Sequence, residues 1–234
     1  ITFTSEGADS GAVLWYYVET LDGELLHGNL DEKVCSGKCL IAAANPDLME
    51  SYIEKDDIVI LGNRYESQLC AIEMGAKCII VCDGALVSYT ISRLADMGIE
   101  NYLISDAVIG VIAQRLLRRV CPRCKRMVPA DDLEKKELGI PEEKWGEEIL
   151  IPHIEPNEEC LECGGAGYKG RIGIYEIMQM SPSLKRIIAT GGTAEELEKQ
   201  AIAEGMNTLV MSANKQVLKG ITTLQEVHRV AYDN

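Results

Sequence analysis

Two Cys-x-x-Cys pairs, "CPRC" at 121–124 and "CLEC" at 160–163, constrain this chain more than any other feature in it. A pair at this spacing lets two thiolates and nearby backbone amides wrap one metal ion, and two pairs complete a tetrahedral site of four sulfurs. The 35 residues between them exceed the common gap of roughly 15–20. They read as a helix or two and a short strand, enough for a small lobe. The spacing therefore predicts structural zinc on Cys121, Cys124, Cys160 and Cys163. A redox dithiol would need only one pair. Catalytic zinc would need an open position, which four thiolates do not leave, so His153 is not required as a ligand.

Composition fits this reading. Nine cysteines are many for a cytoplasmic chain and an odd number for a secreted one. With four in tight pairs they point to metal and a reducing compartment more than to disulfides. One Phe and two Trp leave the core mostly aliphatic. No apolar run reaches the roughly 18–20 residues that span a bilayer, so no membrane-spanning segment is expected. The first residues lack the basic start and apolar core of a secretory peptide, and they lack an initiator Met. Net charge is −14, of which residues 1–106 carry −12 and residues 107–234 carry −2. Such acidity argues against nucleic acid as a partner. The asymmetry predicts two modules of different character, the second holding one basic run, "RLLRRVCPRCKR".

Residues 1–106 alternate between strand and helix patterns. "AVLWYYVET", "KCLIAAA", "DIVILG", "KCIIVCDG" and "ENYLIS" read as strands. "NPDLMESYIEK", with Asn45 as N-cap, "RYESQLCAIEMGA" and "VSYTISRLADMG" read as helices ending near Gly75 and Gly98. This order predicts a mostly parallel sheet with helices on its faces. Ligands bind such sheets at the loops beyond the strand C-termini. Asn63, Arg64, Ser67, Asp83 and Gly84 fall there and are the candidate anion or nucleotide contacts, although turn chemistry and capping are the plainer explanation of them. Cys35 and Cys39 form only a weak pair. Cys70, Cys78 and Cys82 read as small core residues.

"DIVILGNRYESQLCAIEMGAKCIIVCDG", extended upstream by "VETLDGELLHGN", resembles a DRTGG domain over residues 10–95 or so. The name-giving motif is degenerate, with "GNR" and "CDG" in its place. The resemblance implies a regulatory module that associates as a dimer, found beside nucleotide-sensing modules in certain pyrophosphatases, and it implies no chemistry.

The second half reads as follows. "VIGVIAQRLLRRV" (108–120) has helical spacing, with Arg115 and Arg118 toward its end. "GGAGYKGRIGIYE" does not match G-x-x-x-x-G-K-[ST]. Its glycines suit the turns of a metal knuckle, and "RIGIYEIMQM" reads as a returning strand. Four short amphipathic helices follow, with N-caps at Ser181, Thr193 (a capping box with Glu196) and Thr222 or Thr223.

"ISRLADMGIENYLISDAVIGVIAQRLLRRVCPRCK", the second knuckle with "GYKGRIGIYE", and "GMNTLVMSANKQVLKGITTLQEVHRV" resemble, in order, the C-terminal part of the type II secretion and type IV pilus assembly ATPases. That match covers residues 91–234 or so. It implies zinc on the four knuckle cysteines, a hexamer, ATP and Mg²⁺ in the complete motor, and inner-membrane platform components as partners. It implies a place in the cytoplasm, peripheral at the inner face of the cytoplasmic membrane. Arg115, Arg118, Lys169 and Arg171 become candidate subunit or phosphate contacts. The 234 residues contain no recognisable Walker motif.

The expected architecture is therefore α/β. A parallel β-α-β module (1–106, junction about 87–100) precedes a helix and tetracysteine zinc lobe (107–176) and a C-terminal helical bundle (177–234). The expected function is a non-catalytic assembly or regulatory portion of such a motor, with no catalytic residue. One alternative is an ATPase subunit whose nucleotide motifs are lost or lie on another chain. The other is an adenine-nucleotide sensor.

Overall fold

Short aliphatic runs build the sheet. A computed structural model describes residues 39–42, 46–83, 86–155 and 157–231. The strand expected at "AVLWYYVET", the Asn45 cap and Cys35 lie outside these residues. Strands β1 (Cys39–Ala42), β2 (Ile58–Leu61), β3 (Lys77–Asp83), β4 (Val108–Val120) and β7 (Tyr168–Gln179) form one five-stranded sheet in the order β1-β2-β3-β4-β7. The first three are parallel, with Cys39 opposite Ile58 and Ile58 opposite Lys77. Parallel neighbours need crossovers, which α1 (Pro46–Met49) and α2 (Tyr65–Glu73) provide. After β3 comes α3 (Val87–Asp96). It stops at Gly98, whose φ of +96° suits a residue without Cβ. The core is aliphatic, as composition requires: Val59, Leu61, Ile72, Ile80, Ile91 and Leu94 are all buried. Cys70, Cys78 and Cys82 are buried with them.

The chain divides into two units, residues 1–112 with 178–204, and residues 113–177 with 205–234. It leaves the first through β4 and returns through β7. In the first unit α4 (Asn101–Ala107) packs on α6 (Pro182–Ala189), and α3 packs on α7 (Ala194–Ala203). Ser181 caps α6 by accepting the Leu184 N–H at 3.1 Å. Thr193 and Glu196 exchange the two bonds of a capping box at α7. In the second unit β5 (Lys125–Pro129) and β6 (Leu150–Ile154) form an antiparallel pair, with Lys125 opposite Ile154. Helix α5 (Asp132–Glu137) follows β5, and α8 (Leu209–Leu218) packs on β6 and on α9 (Leu224–Ala231).

Two elements differ from expectation. "VIGVIAQRLLRRV" is strand β4, not a helix. Four of its first five residues, Val108, Ile109, Val111 and Ile112, are β-branched and the fifth is Gly110. Both residue types disfavour helix. The helix-like spacing arises because buried positions fall on both faces of β4, as at the adjacent Gly110 and Val111, so the apolar positions do not alternate. Conversely "ENYLIS" is not a strand but the start of α4. Glu100 stays extended and its carbonyl accepts the N–H groups of Leu103 and Ile104, at 2.9 and 3.1 Å. Ile104 is then fully buried.

Candidate metal centre

Four sulfurs converge in the second unit. The turn after β4 carries Cys121 and Cys124, and the turn before β7 carries Cys160 and Cys163. Their Sγ atoms all lie within 4.8 Å of one another. Cys121 and Cys160 sulfurs are 3.9 Å apart, and those of Cys124 and Cys163 are 3.6 Å apart. Four sulfurs each about 2.3 Å from one ion sit at tetrahedron corners about 3.8 Å apart. The observed separations match those edges. They are far too long for disulfides, whose S–S bond is about 2.0 Å.

Each knuckle is wound by its own backbone. The Cys124 and Lys125 N–H groups both donate to the Cys121 carbonyl, at 3.1 and 2.9 Å. In the second knuckle Gly164 N–H donates to the Cys160 carbonyl at 2.8 Å, and Ala166 N–H to the Cys163 carbonyl at 3.2 Å. Gly167 joins the two. Its N–H donates to Cys163 Sγ at 3.3 Å, and its carbonyl accepts the Cys121 N–H at 2.9 Å. A Cβ there would stand 2.6 Å from Ile154 Cγ2, and φ is +74°. Only glycine fits that close approach, so the glycines do serve the knuckle turn.

Three of the thiols are buried and Cys163 is half-buried, with Ile154 packed against them. The Cys163 backbone N–H directed at Cys160 draws its thiol down to about 6. Burial first, and then the neighbouring sulfurs, push Cys124 up. Four thiolates so close repel one another unless a cation sits among them. The donor set is therefore fitted to one metal ion and leaves no further protein ligand to recruit. Outside it, Lys169 pairs with Glu162, which also has Arg123 at 4.0 Å.

The other predicted residues are placed as follows. Arg118 does not stand free. Its Nε and NH2 donate to Glu226 Oε2 at 2.9 and 2.6 Å, and its guanidinium lies 4.1 Å from the Tyr168 ring centroid. Arg115 donates to the Val230 carbonyl. Lys169 serves Glu162, and Arg171 is exposed. In the first unit Asn63 and Arg64 are exposed just before α2, and Ser67 is buried in its first turn. Asp83 ends β3, with its side chain outside the described residues, as is Gly84.

Sequence reasoning missed Glu226. Arg229 also binds this carboxylate, at 2.9 and 2.6 Å. The Arg118 backbone N–H donates to it at 3.0 Å. Burial works against the charge, but the bonds from Arg229 and Arg118 prevail and hold the carboxyl at about 2. Thr223, the cap of α9, accepts the Glu226 N–H and bonds the Tyr168 hydroxyl. The signal was present in part: a Thr cap three residues before Glu226, and an unneutralised basic run elsewhere.

The family model for type II/IV secretion system proteins matches residues 68–229, the knuckles included. The chain belongs to that family. A DRTGG domain model matches residues 17–98 and overlaps the first match over α2, β3 and α3. The type IV pilus assembly ATPase PilB of Myxococcus xanthus is 34% identical over 190 residues, covering 76% of this chain and 32% of that protein. Type II secretion system protein E of Pseudomonas aeruginosa is 36% identical over 224 residues, covering 92% of this chain and 40% of that one. The chain thus spans about a third of the length of the curated relatives. The solved Legionella pneumophila ATPase DotB aligns with a TM-score of 0.48 at 10% identity, over 80% of this chain and 41% of that one.

Proposed function

We propose that this chain is the zinc-binding assembly portion of a type II secretion or type IV pilus motor, joined to a DRTGG-like regulatory module. The observation that carries this reading is the convergence of four sulfurs, three of them buried, with two separations that match the edges of a tetrahedral site. Zn²⁺ is the ion proposed, because a closed four-thiolate set suits structural zinc. The metal fixes the lobe that β5, β6 and the two knuckles form. In an assembled ring, hexameric by family, that lobe and the terminal helices are the parts offered to neighbouring subunits and to platform components at the inner membrane.

Hydrolysis is not assigned to these residues. Phosphoryl transfer requires a phosphate cradle, a basic residue on the phosphates and a Mg²⁺ site, and these 234 residues carry no G-x-x-x-x-G-K-[ST] stretch. The name of one relative, a type IV pilus assembly ATPase, favours the second reading, an ATPase subunit powering secretion or pilus assembly whose nucleotide motifs are lost or lie on another chain. Metal analysis and phosphate release on the purified chain test both. The expected result is about one zinc per chain, lost in Cys121→Ser/Cys124→Ser, and no turnover. Zinc retained by that double variant overturns the metal assignment. Turnover abolished by a substitution in this chain overturns the non-catalytic one.

A further inference from the structure

The chain carries a net charge of −14, yet two of its arginines face solvent without a carboxylate. Arg119, near the end of β4, and Arg171, on β7, are both exposed, and neither has an ion pair among the described residues. The two strands run antiparallel here. The Cys121 N–H donates to the Gly167 carbonyl at 2.9 Å, and Arg119 Cδ lies 3.9 Å from where a Cβ on Gly170 would stand. The Arg119 stem thus passes Gly170, the residue between Lys169 and Arg171. Lys169 and Arg123 share one carboxylate, that of Glu162, so they leave the charge of the two arginines uncancelled. Like charges on neighbouring strands repel.

The complementary surface lies in the first unit. A cleft beside α1 and α2 is lined by Pro46, Leu69 and Met74, with Glu50, Glu66 and Glu73 around it. These three carboxylates are exposed, and none pairs with a cation among the described residues. Their charge reaches the cleft wall: after burial, Glu50, Glu73 and Asp47 push the Cys70 thiol up. An arginine suits such a cleft better than a lysine does. Its stem covers apolar surface, and its planar fork takes a carboxylate through two bonds.

We propose that the Arg119–Arg171 strip of one copy docks, head to tail, in the acidic cleft of a second copy of this chain. A contact between two different surfaces builds a ring when its rotation closes. The inference rests on the reading of the chain as an assembly portion of a motor ring and names the surfaces that meet. Its test is sedimentation velocity of the zinc-loaded full chain under reducing conditions, over a range of protein and salt concentration. Native protein is expected to self-associate, less strongly as salt screens the charges. Arg119→Glu/Arg171→Glu and Glu66→Arg/Glu73→Arg should each weaken association at least about a hundredfold, because like charges then meet. An equimolar mixture of the two variants should regain it, since each finds opposite charge on the other. Arg119→Gln/Arg171→Gln adds no repulsion and should weaken association and flatten its salt dependence. Zinc content of the same samples reports on the metal reading separately. A native chain that stays monomeric overturns the proposal. So does association that either charge swap leaves unchanged, that the mixture does not restore, or that keeps its salt dependence in Arg119→Gln/Arg171→Gln.

Discussion

At the scale of single residues, Glu226 does most to hold the second unit together. It is fully buried, and both oxygens receive arginine donors. Arg118 brings β4 to it and stacks on Tyr168 of β7, while Thr223 ties the same tyrosine to the start of α9. Breaking a fully buried ion pair costs about 3–5 kcal/mol. Arg118 and Arg229 are about half exposed and can turn to water, so the loss is smaller. Glu226→Gln should destabilise the unit by about 2 kcal/mol at pH 7, the worth of charge-assisted bonds. The pH dependence has a definite sign. The folded carboxyl sits at about 2 and an unfolded Glu near about 4.3. The stabilisation is therefore complete above the unfolded value and fades as pH falls toward 2. Urea unfolding followed at Trp145, in a Trp15→Phe background, should show a gap between Glu226→Gln and native protein that closes between about pH 4.3 and 2. A gap independent of pH would show that packing, not charge, sets the cost.

At the scale of elements, capping is the best test of what the sequence made legible. Thr193 accepts the Glu196 N–H at 3.2 Å while Glu196 accepts the Thr193 N–H at 2.9 Å. Thr193→Ala removes one bond of the pair and should cost about 1 kcal/mol, read as faster hydrogen exchange in the first turn of α7 and unchanged exchange in α8. That helix could be read directly because its start signal is local, and the same holds for Ser181 and for α3 ending at Gly98. The four metal ligands were legible for a similar reason, since each knuckle is a contiguous motif. Where elements were misread, the deciding information was not local. Helical spacing in "VIGVIAQRLLRRV" is produced by burial on both faces of β4, which no window of the chain reveals. "ENYLIS" looked extended until Ile104 had a core to enter. Glu226 escaped notice because Arg118, the partner on β4, lies 108 residues away in sequence, and Arg229 three residues on does not by itself mark a buried carboxylate. Cys70, Cys78 and Cys82 were read as small core residues, and all three are buried.

At the scale of the whole molecule, the two units depend on different physics. The first buries an aliphatic core under a parallel sheet, with three cysteines serving as small apolar groups. The second gathers four sulfurs around a point, where bare thiols would hold the chain only weakly. Its knuckle turns are fixed by a handful of backbone bonds and by Gly167, so metal binding and local folding are coupled there. Removing the metal should therefore not melt the protein uniformly. With a strong chelator under reducing conditions, backbone amides of residues 121–128 and 157–168 should exchange at least about tenfold faster, a local opening cost lowered by about 1.4 kcal/mol or more. Amides of β2 and β3 should keep their protection, because no ligand of the site lies in their unit. Zinc added back should restore the knuckle amides, whereas magnesium, a hard ion that prefers oxygen, should not. Equal loss of protection in β2 and β3 would mean that the fold is one cooperative body and that the metal supports all of it.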